Sequence, residues 1–281
     1  MKKHITIVLL IIASVIVILP VGIIIYLLFN QEDLFFIKCY DEISYNELLE
    51  KEEFELIKLD NGGDMVSGWM RYNSRTEKSP LIIYFGGNFQ NSSKTFNKFF
   101  EGKYDYFAGY NIISIDYPKY GLSEGEISDE NLFEEALLVY DYSKNLELVD
   151  QDNIVVIGYS IGTGMATYLA SQRDVKGLIL VAPYDELLSI YNANLPIFYG
   201  PLKNLTKYKL ESKKYAENIE TSTLIVTSYA DEVINHNFSE RLVEHFKNVD
   251  KVLMLKDAKH EDYFYNRDVL EEIQEYLQKR K

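Results

Sequence analysis

The sequence predicts an α/β protein in which a mostly parallel, twisted sheet carries helices on both faces. Short apolar runs typical of buried strands alternate with segments of about 10–15 residues whose apolar side chains recur at helical spacing. This alternation is the order expected of β-α-β units. An antiparallel hairpin is predicted ahead of these units, at one edge of the sheet. No internal repeat or low-complexity tract interrupts the pattern.

The elements follow in chain order. The hairpin is predicted from two alternating apolar runs, residues 54–59 and 65–72, which flank Asn61-Gly62, a dipeptide typical of tight turns. The strands expected in the parallel part cover residues 81–85, 111–116, 154–157, 177–181, 223–227 and 251–255. Helices are expected over residues 92–100, 132–142, 163–171, 239–247 and 269–278. Residues 187–210 have neither a strand pattern nor a regular helical one.

The first 30 residues are expected to lie outside this domain. Residues 5–28 contain no charged side chain, and a helix over them would be about 36 Å long, against a hydrocarbon core of about 30 Å. A cleaved signal peptide has an apolar core of only about 7–15 residues and a small-residue cleavage site, which does not follow here. We therefore expect residues 1–30 to form an uncleaved transmembrane anchor and residues 31–52 a linker.

Charge defines the expected orientation and partners. Lys2 and Lys3 precede the apolar segment and Glu32 and Asp33 follow it, so the positive-inside rule predicts a single-pass membrane protein with an extracytoplasmic domain. The chain contains 43 acidic and 29 basic side chains, for a net charge of −14. This balance argues against nucleic acid as a partner. The single cysteine excludes an internal disulfide and a thiolate metal cluster.

The pentapeptide Gly-Tyr-Ser-Ile-Gly at residues 158–162 lies between a predicted strand and a predicted helix. A serine hydroxyl is a weak nucleophile, so an enzyme must present it to a base without obstruction. A sharp strand-to-helix turn flanked by glycines does this. Ser160 is therefore the candidate nucleophile, although a serine at this place could also serve only as a helix N-cap.

A histidine and a carboxylate follow at the positions that such a nucleophile would need. Asp231 comes after the predicted strand at 223–227, and His260 comes after the one at 251–255. The order Ser160, Asp231, His260 is that of α/β-hydrolases rather than of other triad folds. We predict that His260 is the general base and that Asp231 orients it. Asp185, just after residues 177–181, remains an alternative for the acid.

Three motifs carry a resemblance to a known family. The run at residues 111–126, the pentapeptide and the segment at 231–234 resemble α/β-hydrolases of the BEM46-like group, which borders the serine aminopeptidase-like hydrolases. The resemblance covers roughly residues 52–281. It implies an α/β-hydrolase domain at 53–281, a small lid at about residues 187–210 and an N-terminal anchor. The family's usual His-Gly-Asn loop reads Gly86-Gly87-Asn88 here, and its usual Gly and Pro around the acid are replaced by Ser228 and Asn235.

The negative charge that develops during acyl transfer would need backbone N–H donors. One is expected from Ile161, the residue after the nucleophile. The other is expected from the loop after residues 81–85, where the family resemblance points to Asn88.

These residues predict a serine hydrolase that cleaves an ester or related acyl bond of a small-molecule substrate. No cofactor and no metal are expected: the Gly-x-Gly spacing of a dinucleotide site is incomplete, and no second histidine stands at a ligand spacing from His260. Two alternatives stay open, a peptidase or amidase that acts on small peptides and a catalytically silent binding protein. The sequence leaves the oligomeric state and the physiological substrate open.

Overall fold

A computed structural model describes residues 2–101, 104–194 and 196–280. The strands are β1 (Phe54–Asn61), β2 (Asp64–Arg71), β3 (Ser79–Phe85), β4 (Asn111–Ile115), β5 (Val149–Tyr159), β6 (Gly177–Val181), β7 (Thr223–Ser228) and β8 (Val249–Leu255). The α-helices are α1 (Lys2–Phe29), α2 (Gln31–Phe35), α3 (Glu42–Leu49), α4 (Ser92–Phe100), α5 (Asp129–Lys144), α6 (Gly162–Gln172), α7 (Leu187–Asn194), α8 (Ser212–Ala216), α9 (His236–Val243) and α10 (Arg267–Gln278). Gly200–Leu205 and His260–Tyr265 form 3-10 helices. Met1 of the predicted anchor, Leu195 of the predicted lid and Gly102, Lys103 and Lys281 of the predicted domain lie outside the described residues.

The eight strands form one sheet in the order β1-β2-β4-β3-β5-β6-β7-β8. β1 pairs with β2, and β2 with β4, in antiparallel orientation, whereas all pairs from β4 to β8 are parallel. The predicted mostly parallel sheet with an antiparallel N-terminal hairpin is thereby confirmed. All carboxyl ends of β3 to β8 therefore lie along one edge of the sheet.

The hairpin turn lies one residue later than the dipeptide Asn61-Gly62 indicated. Asn61 still pairs with Asp64, so the two-residue loop is Gly62-Gly63. Their φ angles are 70° and 106°, which only glycine adopts at little cost. The predicted hairpin is thus confirmed, with Gly62-Gly63 rather than Asn61-Gly62 as its two-residue loop.

The core explains why the central strands read as continuous apolar runs. Every residue of β4, β6 and β7 is buried, as expected for parallel strands covered on both faces. Among the helices, α5, α6 and α8 pack together through the rings of Phe133, Tyr168 and Tyr215. α10 buries an apolar face that includes Val269 and Ile273, at the i, i+4 spacing of an amphipathic helix.

The region at residues 187–210 contains more regular structure than its sequence pattern indicated. α7 and the first 3-10 helix both fall within it, so the expectation of no regular helix was wrong. Asn192 explains the turn between them, because its side chain bonds both the N–H and the C=O of Phe198. Such side-chain bonds satisfy backbone groups without a periodic apolar pattern.

A search of the described residues finds no helix with both the length and the hydropathy of a membrane span.

Candidate active site

The candidate nucleophile occupies a sharp turn between β5 and α6. Ser160 has a φ of 52°, a left-handed conformation that costs energy in a residue with a Cβ and is typical of strained functional turns. Its N–H donates to the carbonyl of Val181. The flanking glycines are required by space: a Cβ on Gly162 would lie 2.2 Å from the Phe85 carbonyl oxygen, and one on Gly158 would lie 2.7 Å from Ala166.

His260 opens the 3-10 helix that follows β8 and faces this turn. Its Nε2 lies 2.9 Å from the Ser160 Oγ, a hydrogen-bond distance suited to proton transfer. The ring of Tyr159 stacks on the imidazole, with 5.3 Å between ring centroids, and the Tyr159 hydroxyl donates to the His260 carbonyl at 2.6 Å. The backbone N–H of His260 donates to the carboxylate of Glu232. These contacts hold His260 by its ring face, its backbone carbonyl and its backbone N–H.

Asp231 follows β7 and completes a chain of hydrogen bonds. Its Oδ2 lies 2.9 Å from the His260 Nδ1, and its Oδ1 accepts the N–H groups of Val233 and Ile234. The Tyr263 hydroxyl donates to Oδ2 at 2.9 Å. Burial by itself raises the pKa of this carboxyl, but the bonds from His260 and from the two backbone N–H groups outweigh it and leave the pKa below its usual value.

The alternative acid is engaged elsewhere. The Asp185 carboxylate accepts a hydrogen bond of 2.7 Å from Arg241 Nε on α9, and the structure gives it no bond to His260. Of the other described histidine side chains, His245 contacts Glu217 and His236 lies against Tyr229. The structure therefore brings Ser160, His260 and Asp231 together. All three are more than nine-tenths buried.

The loop after β3 lies directly against the nucleophile turn. A Cβ on Gly87 would stand 2.8 Å from the Tyr159 ring and 3.4 Å from the Ser160 Cβ, so glycine permits this approach. The Gly87 N–H is occupied by Gln90 Oε1 at 2.9 Å. Within the described residues, no acceptor is found for the N–H of Asn88 or of Ile161. These are the two backbone groups expected from the sequence to stabilise an oxyanion.

Gln90 and Tyr117 stabilise the loop after β3, in which Gly86 stands where the family usually has histidine. Gln90 Oε1 also accepts the hydroxyl of Tyr84, and the Tyr117 hydroxyl donates to the carbonyl of Gly86 at 2.7 Å.

Among the described residues, no group of three His, Cys, Asp or Glu side chains is arranged to hold a metal ion.

Sequence reasoning missed Tyr263, which contacts Asp231. In a 3-10 helix, residues i and i+3 lie on the same face, so Tyr263 is brought to the same side as His260. A single 3-10 turn leaves no clear periodic signal, and the i+3 relation is visible only once that turn is known.

Residues 80–276 match the family model described as the alpha/beta hydrolase fold. The chain belongs to this family. The match begins within β3 and ends within α10, so it includes Ser160, Asp231 and His260.

Individual relatives are distant. Alpha/beta hydrolase domain-containing protein aho-3 of Caenorhabditis elegans is 26% identical over 167 residues, which are 59% of this chain and 48% of that protein. Protein ABHD12B of Homo sapiens is 26% identical over 188 residues, 60% of this chain and 51% of that protein. The chain thus spans about half the length of these curated relatives. The Pyrococcus furiosus esterase Pf2001 superposes with a TM-score of 0.67 at 15% identity, over 86% of this chain and 97% of that chain, a likeness that shows the fold.

Proposed function

We propose that this protein is a serine hydrolase that cleaves an ester or related acyl bond through an acyl-enzyme. The observation that carries the proposal is the buried hydrogen-bond chain from Ser160 Oγ to His260 Nε2 and from His260 Nδ1 to Asp231, with 2.9 Å at each link. A chain of this kind supplies a nucleophile, its base and the group that orients the base.

Acylation begins when Ser160 Oγ attacks the carbonyl carbon of the substrate and His260 Nε2 takes the hydroxyl proton. The substrate oxygen then carries a negative charge, which the N–H groups of Ile161 and Asn88 stabilise. As the tetrahedral intermediate collapses, its bond to the leaving group breaks and His260 returns the proton to that group. The product is an ester between Ser160 and the acyl chain.

Deacylation repeats these steps with water as the nucleophile. His260 removes a proton from the water, whose oxygen attacks the acyl carbon, and the proton is then passed to Ser160 Oγ. Asp231 stays ionised throughout and stabilises the imidazolium that forms in each half-reaction. Its lowered pKa supports this role, because a carboxyl that remains ionised can act as an acceptor over the whole working pH range.

An assay with p-nitrophenyl esters of increasing acyl length tests the proposal. Ser160→Ala should lower kcat at least about 10⁴-fold. The matched control is Ser171→Ala, because Ser171 lies on α6 and, among the described residues, its hydroxyl bonds the Tyr168 carbonyl and the Gln172 side chain of the same helix. Wild-type protein that is folded but hydrolyses no ester would contradict the proposal.

The leaving group separates the two enzymatic alternatives. The structural neighbour named as an esterase supports esters as the first substrates to test. Aminoacyl p-nitroanilides measured in parallel would reveal a peptidase or amidase instead. Protein that turns over neither class would favour a binding function.

We also propose that the apolar N-terminal segment anchors the hydrolase domain to a membrane, with the domain on the extracytoplasmic side. Support comes from the absence of charged side chains in residues 5–28 and from apolar side chains of α1 such as Ile16, Ile18 and Leu19, which are exposed by 61–69%. Full-length protein should then require detergent for its extraction from the membrane fraction. Recovery of intact full-length protein in a salt wash would contradict anchoring.

A further inference from the structure

Residues 31–39, predicted to be part of a linker, pack into the hydrolase domain. Gln31 is 4% exposed. Its Nε2 donates to the carbonyls of Leu28 and Leu205, and its Oε1 accepts from the Lys207 N–H and the Tyr191 hydroxyl. Phe36 is 1% exposed. A glutamine that is buried with both polar atoms bonded holds the chain in one place, so this segment is attached to the lid region.

A second attachment is electrostatic. Glu32 forms ion pairs with Lys38, Lys119 and Lys207. Burial alone would raise the pKa of Glu32, but the bonds from Lys38 and Lys119 outweigh it and lower the pKa to about 2. Lys119 belongs to the loop after β4, which also contacts the segment through the bond from the Gly121 N–H to the Cys39 carbonyl.

The third attachment reaches the candidate oxyanion loop. The Ile37 N–H donates to the Asn88 Oδ1 at 2.7 Å. The same oxygen accepts the hydroxyl of Tyr120 at 2.8 Å and the N–H of Phe89 at 3.0 Å. Phe89 has a φ of 61°, and the Gln90 N–H closes the turn onto the Gly87 carbonyl. Three donors on separate segments therefore fix the side chain of Asn88 while its own N–H remains available.

We propose that residues 31–39 are a positioning element of the active site, in which the Ile37 N–H holds the Asn88 side chain so that the Asn88 N–H points at the developing oxyanion. This inference rests on the proposed hydrolase function. A backbone donor stabilises an oxyanion only at hydrogen-bond distance, and misplacing a catalytic group by about 1 Å can cost about 100-fold in rate. Ile37 acts through Asn88 and is not itself a catalytic residue.

Ile37→Pro tests the proposal because proline removes the Ile37 N–H that donates to Asn88 Oδ1. The preceding Phe36 has φ −128° and ψ 88°, outside the α-helical region that a following proline disfavours. The matched control is Ile37→Ala, which keeps the N–H and truncates a side chain that is 48% exposed. We expect Ile37→Pro to lower kcat about 10-fold or more with KM within about twofold, while Ile37→Ala stays within about twofold of wild type.

Tyr120→Phe provides a second variant that keeps the buried ring and removes another donor to Asn88 Oδ1. Like Ile37→Pro, it should lower kcat. Both variants should also weaken binding of a trifluoromethyl ketone, which forms an oxyanion on reaction with the serine, more than binding of a substrate-like amide. A general loss of packing would weaken both ligands alike.

Amide hydrogen exchange over residues 86–90 gives a readout that needs no activity. Exchange should be faster in Ile37→Pro and Tyr120→Phe than in Ile37→Ala. Equal exchange and equal kcat in all three variants would overturn the proposal. A different outcome is faster exchange in Ile37→Pro and Tyr120→Phe although the wild-type protein hydrolyses no substrate. That result would contradict the proposed function and leave the contact between Ile37 and Asn88 supported.

Discussion

At the scale of residues, the hydrogen bonds around Asp231 extend the candidate site beyond Ser160 and His260. The carboxylate accepts from His260, from two backbone N–H groups and from the hydroxyl of Tyr263. Each bond holds the carboxylate in the orientation that His260 needs and stabilises its charge. Tyr263 is completely buried, so no water can replace its hydroxyl without a change in packing.

Tyr263→Phe should therefore reduce kcat, by about 10-fold, because a hydrogen bond to a charged group contributes about 1.5–3 kcal/mol. KM should change little, since Tyr263 is fully buried and its hydroxyl bonds Asp231. Tyr110→Phe is the control: Tyr110 is also buried, and its hydroxyl donates to the Leu277 carbonyl. Steady-state kinetics of the two variants measures the effect. Equal loss of activity in both would show that Tyr263 has only a packing role.

At the scale of elements, the parallel strands could be predicted because burial on both faces makes their sequences continuously apolar. The glycine turn after β1 and the turn between β5 and α6 could also be predicted. The first needs residues that tolerate positive φ, and the second needs glycines where neighbouring atoms leave no room for a Cβ. Ser160, Asp231 and His260 could be combined because loops after parallel strands meet at one edge of a sheet.

The contacts of residues 31–39 could not be predicted in this way. Gln31 and Glu32 are polar, and their partners in the lid region and in the loop after β4 lie about 90 to 175 positions later in the chain. No local pattern indicates such a pairing. The same holds for the bond between Ile37 and Asn88, which uses a backbone N–H and is therefore independent of residue type.

α5 contains a buried acid that should make stability depend on pH. Glu135 is 0% exposed, and neither carboxylate oxygen has a hydrogen-bond partner among the described residues. Burial, with a smaller contribution from Asp116, raises the pKa of Glu135 well above its usual value. The folded state thus keeps a proton that the unfolded state loses, so the free energy of unfolding falls as pH rises above about 4.5.

Glu135→Gln should remove this dependence, because the amide is neutral at every pH. The variant should gain stability relative to wild type between pH 5 and pH 8, at about 1.4 kcal/mol per unit of raised pKa within that window. Glu134→Gln, at an exposed position on the same helix, is the control. Urea denaturation at both pH values would measure the effect, and a difference from wild type that is constant with pH would contradict it.

At the scale of the whole molecule, one edge of the sheet collects every group in the proposed mechanism. Ser160, Asp231 and His260 follow β5, β7 and β8, and Asn88 follows β3. Residues 31–39 approach the same edge from the N-terminal side and connect the lid region to the Asn88 loop. Residues 31–39 therefore link the N-terminal segment to the candidate site through direct hydrogen bonds.

The most direct measurement of the central claim is mass-spectrometric mapping of the protein after reaction with a fluorophosphonate. The probe reacts with a serine that a neighbouring base activates, so a single adduct should form on Ser160. The adduct should form equally in Ser171→Ala, be absent from Ser160→Ala and form much more slowly in His260→Ala. A folded wild-type protein that gains no adduct, or that gains it on another residue, would contradict the account.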